Sequence, residues 1–250
     1  FKYNGKDASN KSTLIIAGED IILADEVPNN EESCKDLIKL TNIDLIIAPN
    51  ATLTLERGIR IGENARIIVM KGGTLNAFPG YYSAEFDKIS INIENSSALL
   101  YNAGTFNIDY LRIESGLIYN AETGVLPGNG DPTEETKRSI ISMKDDNGTI
   151  TNFGKMNLNR LVGTHDVIND DNAGHNKGTI QGTLNNGCYI NIKERIYIKY
   201  LNIAANSSLE SHKIGTGYIT MRENSIIRSD LFSSNSYGAD KSWIYKGAEG

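Results

Sequence analysis

His165-Asp166, Asp170-Asp171 and His175 fall within one polar stretch and offer imidazole nitrogen and carboxylate oxygen, the mixture a divalent transition metal takes. No third histidine stands nearby on a regular element, so a solvated loop accounts for the same residues, and both readings stay open. Asp131, Glu134 and Glu135 are oxygen donors suited to calcium or another divalent cation. They lack the alternating ligands of an EF-hand, and the chain has no tandem glycine-aspartate nonapeptides, so a flexible acidic insert is the plainer account. No other cofactor is implied. Asp109, Arg112 and Glu114 share one segment. Set beside Asn159 and Arg160 of a later coil, they would supply the acids and base that glycoside hydrolysis or lyase chemistry needs. Alternating charge on the outer face of a strand produces the same pattern. No Gly-x-Ser-x-Gly elbow, phosphate-cradling glycine loop or dinucleotide fingerprint is present.

Aromatic residues make the other candidate surface. Tyr81, Tyr82 and Phe86 surround Pro79-Gly80, a turn signal that need not pack inside, so they are the leading ligand-binding candidates. Tyr101, Tyr110 and Tyr119 recur at regular intervals, and Tyr189, Tyr197, Tyr200 and Tyr218 follow. A tyrosine has an apolar face and a polar tip, suited to a sugar ring or a protein. The competing reading makes most of them core or ladder aromatics.

What would position such residues is legible between Asn42 and Ala77. Ile47-Ala-Pro-Asn50-Ala-Thr-Leu53, Ile61-Gly-Glu-Asn64-Ala-Arg-Ile67 and Val69-Met-Lys-Gly72-Gly-Thr-Leu75 are copies of one unit, in which Asn or Gly sits between apolar residues. Alternation of apolar and polar residues around these points predicts short strands with one buried face, and Asn or Gly supplies the turn conformation. Asn50 to Gly72 is about 22 residues, roughly one lap of a three-sided coil of strands. The expected fold is therefore all-β, a single-stranded right-handed parallel β-helix, over a sandwich or hairpin meander. The unit returns as Ile203-Ala-Ala-Asn206-Ser-Ser-Leu209 and Met221-Arg-Glu-Asn224-Ser-Ile-Ile227, and in stretched form as Ile93-Glu-Asn95-Ser-Ser-Ala-Leu99. A longer repeat relates Leu100–Ile108, Ile150–Leu158 and Leu184–Ile192, each with asparagine at its third and eighth positions. Stacked coils would set those asparagines above one another as amide ladders.

The coils are expected over 42–228, with loops at 78–88, 120–139 and 163–177. Residues 1–41 would hold two short strands, at Leu14-Ile15-Ile16 and Ile21-Ile22-Leu23, and a capping segment with a short helix from Asn30 to Ile38. Residues 229–250 would be a terminal coil or cap. Cys34 and Cys188, six or seven coils apart at about 4.8 Å each, would stand roughly 30 Å apart and are not expected to pair. Five Asn-x-Ser/Thr triplets, at Asn10, Asn50, Asn95, Asn147 and Asn206, read as turn chemistry.

A net charge of -6 and a pI near 5.2, with basic residues interspersed among acids, argue against nucleic acid or an anionic membrane as partner. No apolar run reaches the length of a membrane span, and Phe1-Lys-Tyr-Asn-Gly is no signal peptide, so an export segment processed or omitted upstream is expected.

The stretch around Asn185-Asn186-Gly187 and Cys188–Ile192, then Tyr200–Leu209 and Glu223–Ile227, resembles the repeat regions of exported Bacteroidetes surface proteins of the LruC-domain-containing, adhesin type. The likeness covers about a third of the chain, and the acidic, aromatic motif of the LruC domain itself is missing. It implies a β-helical stalk on an extracellular or cell-surface protein. The expected role is a non-catalytic scaffold binding glycan or a host or bacterial surface protein. The alternative is a polysaccharide lyase or glycoside hydrolase on the same fold.

Overall fold

The computed structural model describes residues 11–18, 21–23, 38–55, 58–77, 90–126, 140–143, 147–163, 183–187, 189–234 and 243–246. Strands β1 (Ser12–Ile16), β2 (Ile21–Leu23) and β3 (Ile38–Leu40) are followed by β4 (Ile43–Ile47), β5 (Thr52–Leu55) and β6 (Ile59–Ile61). Next come β7 (Arg66–Val69), β8 (Thr74–Ala77), β9 (Ile91–Asn102), β10 (Thr105–Ile108), β11 (Tyr110–Asn120), β12 (Val125–Leu126) and β13 (Ile140–Met143). The rest are β14 (Gly148–Asn152), β15 (Lys155–Gly163), β16 (Thr183–Asn186), β17 (Tyr189–Ile203), β18 (Ser208–Met221), β19 (Ile226–Ser234) and β20 (Trp243–Lys246). No helix occurs among the described residues.

Among the described strands every pairing is parallel, which excludes the hairpin meander. Early in the chain each strand pairs with the one three further on: β1 with β4, β4 with β7, β2 with β5, β5 with β8, β3 with β6. The strands thus sort into three stacks, and one strand from each makes a rung. From β9 onward single strands bend through a corner and serve two stacks. β9, for example, pairs with β6 through Ile91–Ile93 and with β7 through Leu99–Asn102. Parallel pairing in register puts like on like. Ile59, Ile91, Leu111, Ile141 and Leu161 form one fully buried column, and Leu53, Leu75, Phe106, Met156 and Ile190 another. Burying each such side chain contributes about 1.5–3 kcal/mol, so the core lies inside the three stacks along their whole length.

The corner between the first and second stacks comes in two lengths. In the long form, Ala48–Ala51 or Met70–Gly73 closes an i→i+3 hydrogen bond, Ala51 N to Ala48 O or Gly73 N to Met70 O. Asn50, Gly72, Asn206 and Asn224 there take positive φ (63°, 82°, 58° and 56°), which Asn and Gly tolerate best. The preceding inward residue is apolar at Ile47, Val69, Ile203 and Met221, and asparagine at Asn120, whose corner closes with Gly124 N donating to Ala121 O. Asn50 N donates to Gly72 O at 3.0 Å, so one such corner sits on the next, 22 residues on. In the short form only Ala103-Gly104 or Phe153-Gly154 separates the strands, and the inward residue is asparagine.

One inward column of the first stack therefore reads Ile16, Ile47, Val69, Asn102, Asn120, Asn152, Asn186, Ile203, Met221. The four asparagines are buried and form a ladder. Asn102 Nδ2 donates to Asn120 Oδ1 (2.8 Å), Asn120 Nδ2 to Asn152 Oδ1 (2.7 Å) and Asn152 Nδ2 to Asn186 Oδ1 (3.3 Å). The same amides reach corner carbonyls, Asn120 Nδ2 to Lys155 O and Asn152 Nδ2 to Gly154 O. A sharp corner turns backbone carbonyls inward, and a buried carbonyl needs a donor. Asparagine supplies it where Ile or Val cannot.

Several expectations are corrected here. Ile38, expected to end a short helix, opens β3 and pairs with Ile59. The loop expected from 120 begins later, because Asn120 belongs to the ladder and Val125-Leu126 pair with Thr105 and with Lys155-Met156. Asn95 stands at a corner without positive φ; its Oδ1 accepts from Ser97 N (2.9 Å), so a side chain closes the turn. β1 and β2 lie in register beside β4 and β5. Cys34, Cys188, most of the capping segment and the loops at 78–88 and 164–177 lie outside the described residues.

Candidate functional site

Outward columns of the first stack carry what the inward ones exclude. In one, Ile15, Ile46, Ile68, Tyr101 and Tyr119 follow each other from rung to rung, then Thr151, Asn185, Asn202 and Thr220. The adjacent outward column runs Asp44, Arg66, Leu99, Leu117 and Thr149, and two rungs on Tyr200 and Tyr218. The early part of this face is aliphatic and aromatic apart from the Asp44–Arg66 ion pair, and the late part is amide, hydroxyl and aromatic.

Rung length explains which tyrosines meet. Asn102 and Asn120 are 18 residues apart and stack, so Tyr101 and Tyr119 stack as well, with centroids 5.6 Å apart and planes within 6°. Tyr200 and Tyr218, also one rung apart, stack at 5.2 Å and 14°. Phe153, at the next corner, tilts against Tyr119 at 5.7 Å and 47°. Tyr110 falls half a rung away on the third stack, buried, with its hydroxyl 2.9 Å from Ser142 Oγ. Among these aromatics Phe153 and Tyr218 are the more open, at 39% and 52% exposure. Amides line up on the outside too: Asn202 Nδ2 donates to Asn185 Oδ1 (2.9 Å), and on the second stack Asn107 Nδ2 donates to Asn76 Oδ1 (2.8 Å). Phe153, Asn120 and the partnership of Tyr200 with Tyr218 were not apparent in the sequence. The 18-residue offset shared by both tyrosine pairs is the signal in the sequence that could have found them.

Asp44, Glu94 and Asp230 each stand beside a basic side chain. Asp44 accepts from Arg66 Nε (2.7 Å) and from Arg66 Nη2, and Lys11 Nζ lies 2.5 Å from its Oδ1. The Arg66 hydrogen bonds hold its carboxyl below the ordinary value against the opposing effect of burial, with Lys11 adding to them, and the guanidinium is raised in turn. Asp44→Asn is expected to cost about 1 kcal/mol at neutral pH, the range of a partly exposed ion pair. A carboxyl depressed on folding gives stability that is fully present above about pH 4 and is lost as pH falls through the lower folded value. Melting curves of wild type and variant taken from pH 7 down to pH 2 should converge in acid; a gap that persists unchanged would refute this.

On the third stack Asn92 Nδ2 donates to Glu94 Oε1 (2.9 Å) and Glu114 Oε1 (3.3 Å), and Arg60 Nε lies 3.4 Å from Glu94 Oε1. Glu114 thus meets Asn92, while Arg112 sits in register between Asn92 and Ser142. The segment of Asp109, Arg112 and Glu114 and that of Asn159 and Arg160 are not paired strand to strand. Tyr110 pairs with Ile140 and Ile140 with Arg160, which leaves β13 between them. Tyr81, Tyr82 and Phe86, and the residues His165, Asp166, Asp170, Asp171 and His175, lie outside the described residues, as do Asp131, Glu134 and Glu135. Among the described residues no group of three or more His, Cys, Asp or Glu is arranged for a metal ion.

No protein family, curated protein or solved structure matches this chain. The reading of the outer face therefore rests on its own geometry. No helix among the described residues is long and apolar enough to cross a membrane.

Proposed function

We propose that the three stacks wind as a right-handed parallel β-helix and that the chain is a non-catalytic, adhesin-like scaffold of an exported or cell-surface protein. It binds glycan or protein on the outer face of its first stack. Connections between parallel strands of one sheet are right-handed in about 98% of cases, which supports the handedness. One observation carries the functional part: on that face stacked tyrosines and paired amides occupy positions where a strand exposed only to water would carry scattered charge. Such rows present repeated aromatic rims, hydroxyls and amide groups at one strand spacing, about 4.8 Å, along a rigid surface. Of the stretches that resemble adhesin-type repeats, Tyr200–Leu209 runs from this stack through the corner into the second, and Glu223–Ile227 from the next such corner into the second.

The test pairs a glycan and surface-protein array with a polysaccharide-degradation assay on the same preparation. Retention of a defined subset of probes, with no new reducing ends or unsaturated products, is the expected result. Turnover at catalytic protein concentration would reject the scaffold in favour of a lyase or hydrolase.

A further inference from the structure

The first six described rungs of the first stack, β1, β4, β7, β9, β11 and β14, carry a continuous apolar strip on their outer face. Ile15, Ile46, Ile68, Tyr101 and Tyr119 follow one another in register, and Phe153 closes the row against Tyr119. Ile15 is 59% exposed and Phe153 39%, so both ends of the row stand open. The strip is divided by size: slim aliphatic side chains fill rungs one to three, and broad rings fill rungs four to six. In the column beside it, Asp44 and Arg66 are bound to each other, and Leu99 and Leu117 follow. Contiguous apolar surface of this kind marks contact with another macromolecule.

We propose that this strip is the contact between two copies of the chain, packed face to face with their coil axes antiparallel. A two-fold axis along the strand direction, midway between the Ile68 and Tyr101 rungs, sets the column against its own reverse. Ile68 then meets the partner's Tyr101, Ile46 the partner's Tyr119, and Ile15 the partner's Phe153. Slim side chains thereby face broad ones at every rung, and the two faces keep one spacing along the whole strip. With the copies running the same way, tyrosine would meet tyrosine at one end and isoleucine would meet isoleucine at the other, and the faces would splay. The Asp44–Arg66 pair falls at the rim, where Arg66, its side chain 42% exposed, keeps its water. Six rungs at about 4.8 Å and a strand about 13 Å long outline roughly 370 Å² on each copy. With the relief of the side chains, the pair removes on the order of 1,000 Å² of accessible surface, the lower end of specific contacts. Beyond the sixth rung Asn185, Asn202, Tyr200 and Tyr218 stay uncovered, so the dimer presents that part of the ligand face twice.

Sedimentation equilibrium of the whole chain is expected to show a dimer with a dissociation constant of about 1–100 µM. Ile46→Glu and Tyr119→Lys, both at outward positions, should each weaken it about tenfold or more. Mixed together, the two variants should recover the dimer, because the reversed rungs set the new carboxylate against the new ammonium. Ile22→Lys, on the outer face of the second stack, should leave it unchanged. Unchanged melting temperatures would show that the variants are folded. A wild type still monomeric at about 100 µM, a dimer that neither variant weakens, or variants that weaken it without restoring it on mixing would each overturn the contact. A monomeric wild type whose retention on surface-protein probes is lost in Ile46→Glu would give the strip to a different protein, and the self-contact falls. Mass and array retention are read separately, so failure of the dimer is distinguishable from failure of the binding role.

Discussion

Gly154→Ala is expected to be among the most damaging single substitutions in the described rungs, costing about 3 kcal/mol or more. A Cβ on Gly154 would lie 2.2 Å from Gly124 O, 2.3 Å from Ala121 O and 2.8 Å from Asn120 Nδ2. The two carbonyls belong to the neighbouring corner, whose Gly124 O already accepts from Lys155 N at 2.9 Å. Gly124 O cannot retreat without breaking that rung-to-rung bond, nor Ala121 O without breaking the turn bond it accepts from Gly124 N (2.8 Å). Overpacking of a well-filled interior typically costs 1–3 kcal/mol when side chains can give way, and here backbone would have to move. In a chain of this size that is a fall in melting temperature of roughly 6–12 °C. Gly62→Ala is the control, since a Cβ there meets Leu40 O at 3.1 Å and needs only a small adjustment. Thermal melts of both variants decide it. If Gly154→Ala melts within about a degree of wild type, the corners are not as close as described.

Asn120→Ala should follow closely, at about 2–5 kcal/mol. The substitution takes an acceptor from Asn102 Nδ2 and a donor from Asn152 Oδ1, and it removes the amide hydrogen that reaches Lys155 O. Each buried polar group left unsatisfied costs about 1–3 kcal/mol, and no water column replaces an amide enclosed at 0% exposure without opening the corner. Position in the ladder sets the size of the effect. Asn102 stands at its end, next to Val69, and its Oδ1 has no hydrogen-bond partner, so Asn102→Val loses fewer bonds and should cost less than Asn120→Ala. Asn202→Ala removes a comparable amide pair on the outside, where Asn185 can turn to water, and should cost under about 1 kcal/mol. Denaturant unfolding of the three variants should rank them in that order. Equal losses for Asn120→Ala and Asn202→Ala would mean that the inner ladder carries no special burden.

The early residues show how far local pattern reaches. Ile47–Leu53 and Val69–Leu75 announce their own corner because a four-residue turn with Asn or Gly at positive φ is a local requirement, met by few residues and visible in any single copy. Their spacing of about 22 residues then equals one rung, since like units stack on like. The amide ladder was foreshadowed at Asn102, Asn152 and Asn186 by the shared Asn-x-Gly or Asn-Gly wording. Asn120 escaped notice, for its corner is long and reads Asn-Ala-Glu-Thr-Gly, the composition of a surface loop. Ile38 misled in a similar way, placed after Glu31, Glu32 and Leu37 as though it ended a helix, when its partner Ile59 lies on the next rung.

What the amino-acid order determined by itself was the kind of element, the all-β composition, the positive-φ corners and the length of a rung, because each depends on neighbours within a few residues. What only the tertiary structure decided was which distant residues share a column. Insertions of unequal length separate Val69 from Asn102 and Asn152 from Asn186, so register there cannot be counted along the chain. It is settled where two strands exchange hydrogen bonds, and that pairing turns Tyr101, Tyr119 and Phe153 from scattered residues into one surface.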